Sequence, residues 1–581
     1  MFIVYLLRKK VLISLLFFIL ASTTIAQPVE FKYRKPLDLA ISLSANFAEI
    51  RSNHFHSGID FRVGGVAGAK LYAVADGYIA RIFVSPWGYG KALYINHPNG
   101  ETSVYGHMDG FSEKIHNYVE SIQYSKQTFV IDEIVEPDSI PVKKGELIGY
   151  AGNTGSSFGA HLHFEIRHTY NQMPINAITN KIFEVTDNVP PTIHRMAVFT
   201  LDSTFSITTP RLLKSSKVVK KGDVFVPEAN TVFEVFNPVY FGVYANDYMP
   251  NSNNKFGVNR MTAYIDGEPF FGYLLDEFSL DETRYINSFI AYEELIENNQ
   301  SYVKTYVEQG NKLSIYRDVA DNGLIILNDT LVHNVKLELF DDSGNKTTLA
   351  FKIKKSKKNN PKNNSLLNPE IYKPVRWNMP YKYENDDMKL YMPECSLYSN
   401  ILFTLNSSPA KKNMYSPIWN IGNPKTPLHK HITISLRPDI PENLKEKAVI
   451  VRMDKNNKFS SVGGAWDDEN EFITANVINF GSYSVALDTI PPTIKFAFKR
   501  GVDLRDQKLL KITISDDLSG IATYNAYIDD KWALFDYDAK TRSLTYKFDA
   551  KYIKKGQRHK LKVVVDDGRN NTSTFNTEFL W

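Results

Sequence analysis

Two histidines, His161 and His163, stand two residues apart in the run GAHLHFEIR (159–167), which otherwise reads as a β-strand. Side chains at i and i+2 share one face of a strand, so both imidazoles project together while Leu162 and Phe164 face the other way. A solvated strand face can hold such a pair with no chemistry attached, so the rest of the chain has to decide. Upstream, HFHSGIDFR (54–62) sets His56 and Asp60 four residues apart. On a helix that spacing would stack both on one face. Ser57-Gly58 followed by Ile59 and Phe61 reads instead as a loop entering a strand, with Asp60 pointing where its apolar neighbours do not. His107, in YGHM (105–108), lies near the end of a further strand. Two imidazole nitrogens and a carboxylate oxygen suit Zn²⁺ at about 2.0–2.2 Å, and a catalytic zinc keeps a fourth position for water. Such an ion lowers the pKa of water from roughly 15.7 to about 7 and polarises a carbonyl. Two more histidines beside it could move the protons that amide hydrolysis requires. That inventory needs no glutamate base, and no His-Glu-x-x-His occurs in the chain.

The elements that must position these groups are short strands. Residues 27–185 are Gly-rich, with strand-like runs KLYAVADGYIARI, KALYINHPNGETSVYGHM and HLHFEIRH. Asn99-Gly100 between two alternating runs is a two-residue hairpin signal. No long amphipathic helical pattern interrupts them, so the spacing predicts a mainly antiparallel β domain. Gly152 and Gly155 in GNTG permit a tight turn that delivers the His-x-His strand. Glu165 alternates onto the same side as His163 and is placed to orient it.

With 581 residues, 43% of them hydrophobic and 23% charged, the chain is globular and long enough for about four domains. Three of its four net positive charges are matched by Arg8, Lys9 and Lys10, which leaves the remainder near neutral and gives no argument for nucleic acid. The same basic patch precedes the apolar run VLISLLFFILASTTIA, and residues 1–26 read as an export signal. A single cysteine, Cys395, excludes an internal disulfide.

DNVPPTI (187–193) is echoed by DTIPPTI (488–494), AYIDG (263–267) by AYIDD (526–530), and VKLELFDDSGNKTTLAFKI (335–353) by LKVVVDDGRNNTSTFNTEF (561–579). Two copies of one β module explain this, over 186–353 (with insertions) and 488–581, and both look like immunoglobulin-like sandwiches. The basic Asn-rich run 354–365 reads as a linker and 366–487 as another β-rich module. The expected fold class is all-β: an antiparallel β catalytic domain followed by immunoglobulin-like β-sandwich modules.

HFHSGIDF, WGYGKALYINHPNG…SVYGHM and VKKGELIGYAGNTGSSFGAHLHFEIR together resemble the M23 (lysostaphin/LytM-type) peptidoglycan endopeptidases, over about residues 40–180. The resemblance implies one Zn²⁺ held by His56, Asp60 and His163, with His107 and His161 as the catalytic histidines. His54 is then an outer residue, His97 lies at the hairpin turn, and His116 and His168 are surface residues. One departure is the stretch 112–139, longer than the family's usual connection, which reads either as a wall of the substrate groove or as a solvated insertion. A tyrosine that some relatives carry near the oxyanion has no match by position. The resulting expectation is an exported zinc endopeptidase of the periplasm or cell envelope, cutting peptide cross-links of peptidoglycan. Its C-terminal β modules would tether it or engage an envelope protein partner. The competing expectation is a non-catalytic wall-binding scaffold that activates other hydrolases.

Overall fold

The computed structural model describes residues 31–581 apart from 205–206, 229–231, 251, 359–367, 369, 457, 468–470 and 500. The expected export segment lies outside the described residues, as does most of the basic run 354–365, whose first two lysines end a strand. Among the described residues no helix is long and apolar enough to cross a membrane. The chain is all-β, with few helices.

The N-terminal part is built on β1 (Leu43–Ala45), β2 (Ile59–Arg62), β3 (Lys70–Tyr72), β4 (Gly77–Val84), β5 (Lys91–Asn96), β6 (Glu101–Gly106), β7 (Met108–Phe111), α1 (Glu113–Lys126), β8 (Ile131–Ile134), β9 (Leu147–Ala151) and β10 (His161–His168). Its principal sheet runs β1-β2-β10-β6-β5-β4-β8, antiparallel throughout, and β3-β9-β7 form a small second sheet. Leu162, Phe164 and Ile166 of β10 and Ile59 and Phe61 of β2 are buried in the core. Burial of each is worth roughly 1.5–3 kcal/mol. That burial fixes register, because a slip of one residue would put histidines in the core and leucine in solvent. In the register adopted, His163 stands directly across from Asp60 on one side and from Gly106 on the other.

The stretch 112–139 adds one helix to the mainly antiparallel β domain and corrects both readings offered for it. Its first part is the 14-residue α1, and none of its residues lines the groove described below. Instead α1 is a seat for the C-terminal module. Tyr124 stacks on Tyr552 at 4.2 Å and meets Trp532 edge-on, and Lys551 pairs with Glu120 at 2.7 Å.

Residues 192–355 follow as one large sheet that includes β11 (Thr192–Thr204), β12 (Val239–Asn246), β13 (Val332–Phe340) and β14 (Lys346–Lys355). Its core is continuous with that of the first domain, where Phe278 packs on Phe47 and Phe55 at 5.2 and 5.4 Å. Residues 372–487 fold into a six-stranded and a five-stranded sheet around Leu390, Ile432, Ile434 and Phe480. The last segment packs a four-stranded sheet, including β15 (Leu509–Ser515), on a five-stranded one with β16 (Arg558–Asp567) and β17 (Thr572–Leu580). The sequence echoes make matching hydrogen bonds: Asp266 accepts from Asn334 N and contacts His333, as Asp529 accepts from Lys560 N and contacts His559.

Neighbouring bodies touch through few, specific contacts. Tyr285 stacks on His429 at 4.1 Å, Arg284 donates to Leu428 O, and across the last joint Lys447 donates to Arg569 O and Arg569 to Gly464 O. Burial, with Arg284, Lys430 and Lys312 nearby, lowers the His429 imidazole from 6.5 to about 4. The unfolded chain therefore takes up a proton that the folded one refuses, so this stability is complete above about pH 6.5 and lost as pH falls toward 4. Melting temperatures at pH 7.5 and pH 5 should converge in a His429→Gln variant relative to the unmodified chain. An equal loss in both proteins would show that His429 is not the titrating group.

Candidate active site

The sheet brings all five predicted side chains to one groove of about 840 Å³. Asp60 projects from β2, His161 and His163 from β10, His107 from the turn between β6 and β7, and His56 from the loop before β2. His56 Nε2, Asp60 Oδ1 and His163 Nδ1 form a triangle with sides of 3.0, 3.0 and 3.1 Å. The outward-facing ring nitrogens fix the tautomers. His56 Nδ1 donates to Asn46 O at 2.7 Å, and His163 Nε2 donates to Glu165 Oε1 at 2.7 Å. Both remaining nitrogens can thus offer lone pairs to the point where the Asp60 oxygen also points.

Three converging acceptors call for a cation. Within the protein alone, a proton on His163 answers. Burial would lower this imidazole, but Asp60 and Glu165 override it and push it up to about 9. Burial would likewise raise the Asp60 carboxyl, yet His56 and His163 hold it well below the usual carboxylate range. A metal ion displaces such a proton on binding. The donor set fits zinc: two imidazoles and one carboxylate, with spacings close to the roughly 3.3–3.6 Å edges of a tetrahedral shell.

His107 and His161 flank the triangle in matching poses. His107 Nδ1 donates to Thr154 O at 2.8 Å and His161 Nδ1 to Gly159 O at 2.8 Å, so each keeps an Nε2 lone pair. His161 Nε2 lies 3.6 Å from Asp60 Oδ1, and the two rings are 4.9 Å apart. Burial, then the charges of His163 and His161, lower His107 to about 3, which keeps it neutral. Its backbone sits at φ 57°, a left-handed conformation that a non-glycine residue holds only where its surroundings enforce it. Tyr89 O, which accepts from His107 N at 2.8 Å, and Thr154 enforce it. Gly155 at φ 69° lets that loop close: a Cβ there would lie 2.3 Å from Gly88 O and Gly90 N.

Glu165 is the orienting group expected for His163, and it anchors more than was expected. Its Oε1 accepts from Tyr89 at 2.6 Å and Ser57 at 2.8 Å, and its Oε2 from Arg167 Nε at 2.6 Å. Burial would raise its pKa, but Arg167 and His163 lower it. Sequence reasoning missed Tyr89, Ser57 and Arg167. Arg167 was signalled, since 161, 163, 165 and 167 all share one face of β10. Replacing Glu165 by Gln should weaken zinc binding by about 10–100-fold, as loss of such an outer partner does, read by competition with a chromophoric chelator. Unchanged affinity would assign Glu165 to packing alone.

The remaining histidines are elsewhere. His54 is exposed at the groove's rim with Nδ1 on Ser52 O. His97, at its hairpin turn, is buried between Asp76 O and Ser103 Oγ. His116 is exposed on α1, and His168 contacts Glu277.

The sequence profile of Peptidase family M23 matches residues 54–124 and 132–177, and that of the Zu5-like domain matches 372–488. A DD-carboxypeptidase/endopeptidase of Neisseria meningitidis, Mpg, is 33% identical over 124 residues, 21% of this chain and 22% of that protein. An uncharacterized metalloprotease of Haemophilus influenzae is 31% identical over 127 residues, 22% of this chain and 21% of that protein. The chain thus spans about a fifth of the length of these relatives. Among solved structures, a zinc-containing peptidase from Vibrio cholerae is 26% identical, over 26% of this chain and 40% of that one, with a TM-score of 0.19. The chain therefore carries a peptidase domain of family M23.

Proposed function

We propose that this chain is a zinc-dependent endopeptidase that hydrolyses peptide cross-links of peptidoglycan, in the periplasm or cell envelope. The observation that carries this reading is the convergence of three lone-pair atoms, from His56, Asp60 and His163, between two histidines with free Nε2 atoms. When bound there, zinc supplies Lewis acidity toward a carbonyl and acidifies water near neutral pH. The protein's own residues do the rest. His161 and His107, each locked by a backbone carbonyl at Nδ1, accept a proton at Nε2 and can return it to the departing amine. Once protonated, either imidazolium stabilises negative charge developing on the attacked carbonyl. Tyr89 hydrogen-bonds to Glu165 and holds the orienting carboxylate in place. Phe158, fully exposed at the lip of the groove, offers an apolar surface to the peptide. The later β modules are proposed to position the enzyme on the wall or on an envelope partner.

Digestion of purified sacculi tests the substrate. The zinc-loaded chain should release new amino groups and shorten cross-linked muropeptides. Release from no sacculus, whether directly cross-linked or glycine-bridged, would remove the substrate claim while leaving the metal site intact.

A further inference from the structure

A second set of ionisable groups lies apart from the groove, where the first β module meets the peptidase domain. Asp187 follows the peptidase domain, Asp247 caps the end of β12, and Asp341 begins the turn between β13 and β14. Each offers a carboxylate oxygen within 4.8 Å of the others. Asp247 is 1% exposed, and its Oδ1 has no hydrogen-bond partner. No described lysine or arginine forms an ion pair with any of the three. A fourth carboxylate, Asp342, lies beside them and is occupied by amides of the peptidase domain, Asn46 at 2.7 Å and Asn176 at 2.8 Å. Isolated buried negative charge is costly unless it is paired or coordinates a metal.

The C-terminal module repeats the same frame with a cation close by. There Asp488, Asp516 and Asp567 meet in the same way. The turns correspond bond for bond. Asn345 donates to Asp341 Oδ2 and Asp187 O, as Asn571 donates to Asp567 Oδ2 and Asp488 O. Ser343 N donates to Asp341 Oδ1, as Arg569 N donates to Asp567 Oδ1. Arg569 therefore stands at the position of Ser343, and its guanidinium, ion-paired with none of the three and bonded to Gly464 O, acts on Asp488 and Asp567 through space. The first module has the three carboxylates without that cation.

We propose that Asp187, Asp247 and Asp341 bind a calcium ion at the joint between the peptidase domain and the first β module. All three donors of the cluster are hard carboxylate oxygens, with no imidazole or thiolate among them, which selects calcium over zinc. The ion neutralises the cluster and braces the turn that carries Asp342, hence the contact with Asn46. Asn46 in turn holds His56 through its carbonyl. Calcium thus steadies the joint through Asp342 and Asn46.

The test is calorimetric titration of the zinc-loaded full chain with calcium chloride, paired with thermal unfolding. One calcium per chain is expected in the unmodified protein, with a melting temperature raised by at least about 3 °C at saturation. Asp247→Asn, which removes charge from an atom with no partner, should weaken binding at least tenfold and melt higher than the unmodified chain when calcium is absent. Asp516→Asn should leave calcium binding unchanged. Absence of calcium binding by the unmodified chain overturns the proposal without reference to any variant. Binding that survives in Asp247→Asn also overturns it, by placing calcium elsewhere. Zinc content measured alongside keeps the result separate from the peptidase site.

Discussion

Chains carrying His161→Ala are expected to keep one zinc each and to lose about 10²–10⁴-fold in kcat on cross-linked sacculi, the range for removal of a general acid–base group. The geometry makes the split sharp. His161 Nε2 lies 3.6 Å from Asp60 Oδ1, whereas the three groups of the triangle lie within 3.1 Å of one another. Its other nitrogen is held by Gly159 O on its own strand's approach, so removing the ring breaks no hydrogen bond of His56, Asp60 or His163. His107→Ala should lose activity similarly, with an added structural effect because the ring ties Thr154 to the left-handed turn. Zinc analysis and kcat measured on one preparation decide the matter. Loss of zinc together with activity in His161→Ala would make His161 a ligand, and full activity would leave His107 alone as the proton carrier.

The second large effect is expected from Asp60→Asn. The amide keeps the size and one acceptor oxygen but removes the negative charge that offsets a divalent ion. It also presents a donor toward His56 Nε2 or His163 Nδ1, at 3.1 and 3.0 Å. Zinc content should fall below about a tenth per chain in dialysed protein, with activity lost in proportion and partly restored by excess zinc. The fold should persist, because Ile59 and Phe61 on the other face of β2 hold the strand in register. A variant that retains zinc at full occupancy would show that the two histidines suffice.

Three of the five groove residues were legible because strand alternation is a local rule, while His56, in a loop, and His107, at a turn, came with the family resemblance. His161, His163 and Asp60 could be assigned to a face from neighbouring residues alone, and the family resemblance joined the strands. Tyr89 was not legible in the same way. It lies in a Gly-flanked turn, PWGYGK, with no alternation to give its direction, and only the fold brings its hydroxyl to Glu165. Helix α1 was hidden for another reason. Its apolar stripe, Ile115, Tyr118, Val119 and Ile122 at helical spacing, spans only about two turns, and two of its four buried side chains, Glu120 and Gln123, are polar. They are satisfied by Lys551, more than four hundred residues away, and by Phe129 O. The repeated DNVPPTI and DTIPPTI announced two related modules, but the meeting of Asp187 with Asp247 and Asp341 depends on a turn and a strand end far along the chain.

The seat of the last module on α1 completes a closed circuit. The peptidase domain touches the first β module, that module touches the next, the next touches the last, and the last returns to the peptidase domain through Lys551, Lys91 and Lys540. Two of these contacts are partly exposed ion pairs, Lys551 with Glu120 and Lys91 with Asp536, and the third is Lys540 donating to Asn153 O. Contacts at such a surface are worth only about 0–1 kcal/mol each, too little to hold two separate proteins together. Within the circuit the partners are never separate. Effective concentration replaces affinity, so a handful of weak contacts can hold a module on the peptidase. A detached C-terminal module supplied in solution forgoes that advantage.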